Sequence, residues 1–175
     1  HQLAVCGDPH PPHSVLNQAS QLNIKLWQQQ KDFCYQLNNN GTWSWRSNDI
    51  YYEDLPQLQL PVQNASTVLM ALTLLSKQLP VNKEILYASL ETAFVPGRFQ
   101  CIQKEGITYV FDVAHNIQSV KYLYSRLRQQ SISGKLLSLC SMLKEKDIQK
   151  SFAIMSSIVS EWYIIPLNIP RGGDS

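Results

Sequence analysis

The sequence predicts an α/β protein in two parts, and three observations carry that expectation. Residues 107–113 form a run of β-branched, aromatic and apolar residues, read as a strand buried on both faces. An amphipathic stretch follows it, with Val120, Leu123, Tyr124 and Leu127 three or four apart on one helical face. From residue 99 onward, strands and helices alternate with short turns. This pattern implies parallel strands joined by right-handed crossovers.

Taken in order, residues 3–6 form a short apolar strand stopped by Gly7-Asp8-Pro9. His10 and His13 flank two prolines, and a metal site needs more convergent ligands than these, so they are read as loop histidines. Ser14 is positioned to cap a helix running to about Leu22. Residues 24–27, 32–37, 42–45 and 50–52 read as short strands separated by Asn-Gly and Ser-Asn turns. Their aromatics, among them Trp27, Phe33, Tyr35, Trp43 and Trp45, fall mostly on alternate positions and are expected to be half-buried in a sheet. A helix is expected over 65–78 with Asn64 as its N-cap, and another over 82–92. The turn at 94–99 places a boundary near Val95. Beyond it, residues 99–103 pair with the central strand, and 118–129 and 147–160 are helical. Residues 136–142 and 162–167 complete the strand series. Ile148, Phe152, Met155 and Val159 are expected to point inward.

Composition bounds the function. The chain has 175 residues, 44% of them hydrophobic, enough for a real core, and a net charge of +2. That charge gives no argument for nucleic acid or an acidic membrane as a partner. The absence of a signal peptide or a membrane-length apolar run leads to the expectation of a soluble, cytoplasmic protein. The four cysteines lie far apart in apolar stretches and are expected to be reduced core thiols. The chain opens on His1 and carries Arg171-Gly172-Gly173 just before its last two residues, so both ends read as cut from something longer.

Asp112, His115 and Asn116 stand where a strand gives way to a helix, the edge at which α/β sheets gather ligands. Parallel strands would bring Asp112, His115, Lys144, Glu145 and Asn168 to a single rim. No phosphate-loop, dinucleotide, nucleophile-elbow or zinc motif is present. Single residues carry plausible nucleotide chemistry instead. An Asp at a strand end accepts ribose hydroxyls, an Arg in a glycine turn clamps phosphate oxygens, and an Asn amide pairs with an adenine edge. Each also has a plain reading: Asp112 as a helix-dipole partner, Arg98 as a surface ion pair, His115 as a loop or cap residue, and Asn64 as a cap.

Five blocks occur in order: Q-N-A-S-T-V-L-M-A-L (63–72), P-G-R-F-Q (96–100), F-D-V-A-H-N (111–116), S-M-L-K-E-K-D-I (141–148) and P-L-N-I-P-R-G (166–172). Together they resemble the folylpolyglutamate synthase family, in its bacterial branch that also makes dihydrofolate. The resemblance implies that residues 1–95 end a P-loop ATPase domain of the Mur ligase central type. Residues 96–175 would be most of a Rossmann-like C-terminal domain. It implies an ATP-dependent ligase adding L-glutamate to dihydropteroate or folates through an acyl phosphate. Asn64 matches the family's adenine-side Asn, Arg98 its phosphate-contacting Arg and Asp112 its ribose-binding Asp. His115 matches a catalytic His facing the interdomain cleft, and domain closure would assemble the site around ATP. The phosphate loop and the Mg²⁺ ligands are expected in the N-terminal part that this sequence lacks. The parent is expected to be a monomer and this piece inactive alone. Ile117 replaces a usual Pro and Ser141 a usual Gly, the latter bearing on how closely backbone and ligand approach. A non-catalytic α/β nucleotide-binding or interaction module, or a peptidoglycan amino-acid ligase, are the alternative readings.

Overall fold

The computed structural model describes residues 2–48 and 50–171. His1, Asp49 and residues 172–175, among them Gly172 and Gly173, lie outside them. The chain is α/β throughout, and its contacts form two units that part between Val95 and Pro96.

In the first unit, strands β1 (Leu3–Cys6) and β2 (Lys25–Gln28) pair in parallel, Val5 opposite Trp27, with helix α1 (His13–Gln21) as the crossover. Helix α1 starts behind Pro12 without a side-chain cap, so Ser14 is not the cap but lies inside the first turn. The preset φ of proline makes the turn start one step earlier than a serine cap would place it. Strands β3 (Phe33–Leu37), β4 (Trp43–Ser47) and β5 (Ile50–Leu55) form an antiparallel meander. Helix α2 (Val62–Leu74) lies against β1 and β3, and helix α3 (Lys83–Thr92) is capped by Asn82, whose Oδ1 accepts the Ile85 N–H at 2.8 Å.

Phe33, Trp43, Trp45, Leu55, Leu69, Met70 and Leu86 form this unit's core. Three of the aromatics are buried completely rather than by half, because α2 covers the face that a free sheet would leave open. Trp45 stacks on Tyr52 at 5.9 Å between centroids. Its indole N–H donates to Ser66 Oγ at 3.1 Å, and that hydroxyl donates to Gln29 Oε1 at 2.8 Å. Ser66 and Gln29 are buried, so the thread supplies partners that the interior otherwise denies them.

In the second unit, β6 (Gln100–Lys104) and β7 (Ile107–Phe111) form a hairpin through Glu105 and Gly106, both at positive φ, which matches the twist of a two-residue turn. Helix α4 (Ile117–Arg128), strand β8 (Leu137–Cys140), helix α5 (Ile148–Met155) and strand β9 (Glu161–Ile164) follow, with β8 and β9 parallel. Phe99, Val120, Leu127, Met155 and Val159 form the core, joined by Val110 and Trp162. Phe152 meets Trp162 edge to face at 4.7 Å.

Two expectations are corrected here. Among the described residues β7 pairs with β6 and not with β8 or β9, so the parallel sheet has two strands where three were expected. Strand β7 is also not buried on both faces. Val110 turns inward, while Ile107, Tyr109, Phe111 and Val113 on the alternate face are exposed. An unbroken apolar run shows no alternation and so cannot report a face without a cover. The four cysteines are free, as expected, yet Cys101 is exposed and the others are half-buried, because strand pleating turns them partly out of the core. No helix among the described residues is long and apolar enough to cross a membrane.

Candidate nucleotide-facing loop of the second unit

The P-G-R-F turn is built from both ends of the β6–β7 hairpin. Gly97 sits at φ +69° and Phe99 at φ +47°, so two residues of four are left-handed, one of them a bulky aromatic. Such a conformation persists in a non-glycine residue only where its surroundings over-determine it. Asp112 is one cause. Its Oδ2 accepts the Phe99 N–H at 2.8 Å and its Oδ1 accepts the Ala114 N–H at 2.7 Å. The Val113 N–H donates to Gly97 O at 2.9 Å, and Gln100 Oε1 accepts the Gly97 N–H at 3.0 Å. A Cβ on Gly97 would meet Val113 Cγ1 at 3.3 Å in addition to the positive φ, so the turn needs its glycine.

Arg98 stands between these two pinned residues. It is exposed, and no hydrogen bond or ion pair among the described residues engages its guanidinium, so the surface ion-pair reading does not hold. A fork of five donors is left open on a rigid turn. Asp112 is not the helix-dipole partner that its position allows. Its carboxylate clamps backbone on both sides, and each oxygen keeps a further lone pair for an outside hydroxyl.

The helix end belongs to Asn116. Its Oδ1 accepts the Ser119 N–H at 2.9 Å, while Ser119 Oγ accepts the Asn116 N–H at 3.2 Å, a reciprocal cap for α4. His115 is therefore not the cap. Its backbone N–H donates to Ser119 Oγ at 3.1 Å, and Nδ1 lies 2.9 Å from Val113 O. Val113 O can only accept, so the hydrogen of that contact is on Nδ1, and in the neutral form of the exposed ring Nε2 is the acceptor.

Asp112, His115 and Arg98 thus share one loop cluster. Asn64 lies in the first unit, as the third residue of α2 rather than its N-cap. Pro61 occupies the cap position and no side chain caps the helix. The proline starts the turn early, as in α1, and the plain reading of Asn64 falls with it. Its carboxamide is on the exposed side of the helix.

The expected five-residue rim is not the edge of one parallel sheet, since among the described residues β7 is not paired with β8 or β9. The loops after β8 and β9 do meet. The Lys144 N–H donates to Arg171 O at 3.1 Å, and Arg171 forms an ion pair with Glu145. Ser141, the position where the resemblance leads one to expect a glycine, donates its hydroxyl to Ile165 O at 2.6 Å and ties the same two loops together. The features missed by sequence reading are the Asp112 clamp and the left-handed Phe99. The only sequence signal for them is the glycine two residues before Phe99. No group of three or more His, Cys, Asp or Glu among the described residues is arranged to hold a metal ion.

Residues 97–175 match the family described as Mur ligase, glutamate ligase domain. The chain is 32% identical over 185 residues to a protein of Haemophilus influenzae named dihydrofolate synthase/folylpolyglutamate synthase, covering 96% of this chain and 42% of that one. It superposes on E. coli FolC in complex with DHPP and ADP with a TM-score of 0.88 at 31% identity, covering 99% of this chain and 41% of the other. A bifunctional folylpolyglutamate synthase/dihydrofolate synthase with Mn, AMPPNP and L-glutamate bound gives a TM-score of 0.87 at 35% identity, covering 98% and 41%. The chain therefore spans about two fifths of the length of the relatives it matches.

Proposed function

We propose that the chain is part of an ATP-dependent ligase, because residues 97–175 match the family described as Mur ligase, glutamate ligase domain, and nearly the whole chain is similar to proteins named dihydrofolate synthase/folylpolyglutamate synthase. The reaction is addition of L-glutamate to dihydropteroate and to folates. A substrate carboxylate takes the γ-phosphoryl of ATP to give an acyl phosphate and ADP. The glutamate amine then attacks the acyl carbon, an amide forms, and phosphate leaves.

The observation that carries this reading is the open Arg98 fork on a turn pinned by Asp112. Arg98 contributes by spreading the charge of the phosphate oxygens, and the pinned turn fixes the backbone that carries the guanidinium before the substrate arrives. Asp112 keeps its two backbone hydrogen bonds and accepts a ribose hydroxyl on a remaining lone pair. Asn64 offers its free carboxamide to the adenine edge. His115 Nε2 suits accepting a hydrogen from the incoming amine. Among the described residues no group of three or more His, Cys, Asp or Glu is arranged to hold the divalent metal that such a phosphoryl transfer uses. The chain alone is proposed to be inactive, and the complete ligase to work as a cytoplasmic monomer.

The test is glutamate-dependent ADP release by the full-length ligase. Arg98→Ala is expected to lower kcat/KM for ATP by about 100-fold. Activity that is unchanged removes Arg98 from the site. Offering dihydropteroate, folates and UDP-linked muramoyl acceptors in turn decides the acceptor, and turnover of the muramoyl compound alone moves the protein to the peptidoglycan branch.

A further inference from the structure

The P-G-R-F turn is held from a side that the proposed contacts do not include. The Phe99 ring, only 6% exposed, is covered by the guanidinium of Arg126 at 4.3 Å from its centroid. Arg126 comes from the last turn of α4, eleven residues after His115, and is itself braced. Its Nη1 donates to the Tyr122 hydroxyl at 3.2 Å, one helical turn back, and its carbon centre lies 5.9 Å from the Tyr122 ring. A planar cation over a desolvated aromatic face is attracted electrostatically, and the attraction is directional.

The direction matters because Phe99 is left-handed. A bulky residue at φ +47° has a lower-energy extended alternative, and a change to it would swing the residue before it. Asp112 holds the Phe99 N–H, and Arg126 holds the ring. Two anchors on one residue, one on its backbone and one on its side chain, leave the preceding Arg98 a single direction of departure. We infer that Arg126 is a positioning residue for Arg98, acting through Phe99 to hold the guanidinium fork where a phosphate is to be met. The inference rests on the proposed role of Arg98 in contacting the nucleotide phosphates.

The experiment uses the full-length ligase and steady-state kinetics with ATP and folate varied separately, each variant checked for an intact melting transition. Arg126→Met keeps the length of the side chain and removes the planar cation. It is expected to raise KM for ATP about tenfold while KM for folate stays within about twofold. Arg126→Lys restores part of the loss, and Arg128→Met on the same helix changes neither constant. In an Arg98→Ala background, Arg126→Met adds nothing further, since the residue it positions is gone. Losses that multiply in the double variant overturn the inference while leaving the Arg98 contact standing. Parallel changes in both KM values, or an Arg126→Met enzyme like wild type, also overturn it. An Arg98→Ala enzyme with normal KM for ATP removes the underlying contact and this inference together.

Discussion

Asp112 and Arg98 are neighbours in one turn with opposite relations to stability. Asp112 accepts two backbone N–H groups at 2.7 and 2.8 Å, so Asp112→Ala leaves both without partners. The second unit is expected to lose about 2 kcal/mol, measured as denaturant-dependent amide exchange in α4. Arg98→Ala removes no side-chain hydrogen bond or ion pair among the described residues and is expected to change stability by less than about 0.5 kcal/mol. Equal losses at the two positions contradict this division. Both residues were legible as candidates from residue type and spacing, but their division of labour was not. The acceptor role of Asp112 depends on a left-handed phenylalanine, whose conformation has no local signal beyond Gly97 two residues earlier. Asn64 shows a related limit: the Asn was visible, and its offset from the cap was decided by Pro61.

At the scale of elements, helix starts with a local polar cap were readable. Asn82 and Asp147 head α3 and α5 within one residue of where the pattern puts the helices, because a cap and its N–H partners lie within one turn. Asp147 illustrates the chemistry. Its carboxylate pairs with Lys150 Nζ at 2.7 Å and accepts the Lys150 N–H at 3.2 Å. These hydrogen bonds, the side-chain one foremost, hold its pKa below the ordinary 3.8. A depressed carboxylate contributes stability above its ordinary pKa and loses it as pH falls through the folded value. The first turn of α5 is therefore expected to fray on acidification below about pH 4, seen as faster exchange of the Lys150 and Ser151 amides than in the rest of the helix. Asp147→Asn keeps an acceptor without the titration and is expected to flatten that response; the same acid fraying in the variant removes Asp147 as its cause. Strand faces were less legible than helix starts. Whether an apolar face is covered depends on distant elements, and β7 carries no mark of it.

For the whole molecule, the same property has a solution consequence. Leu137, Leu139, Tyr163 and Ile165 lie on one face of the β8–β9 pair and are exposed, Leu139 to 71%. Ile102, Ile107, Tyr109 and Phe111 do likewise on the hairpin. Contiguous apolar faces of this kind associate in water. Light scattering of the 175-residue chain is expected to show a mass that rises with concentration, and the Leu137→Lys/Leu139→Lys variant to lower it. A clean monomer at high concentration contradicts the prediction. The division between Val95 and Pro96 coincides with the boundary drawn from the Pro-Gly turn, and the α/β alternation of the second unit was readable from periodicity. The thread from Trp45 through Ser66 to Gln29 was not readable, because its members are 21 and 37 residues apart in sequence. Yet it sets the rotational phase of α2. With Ser66 hydrogen-bonded inside the core, each residue of the helix is turned about 100° from the last, so Asn64, two positions earlier, is carried about 200° around to the opposite side. A hydroxyl buried on one side of α2 thus dictates that the carboxamide on the other faces outward.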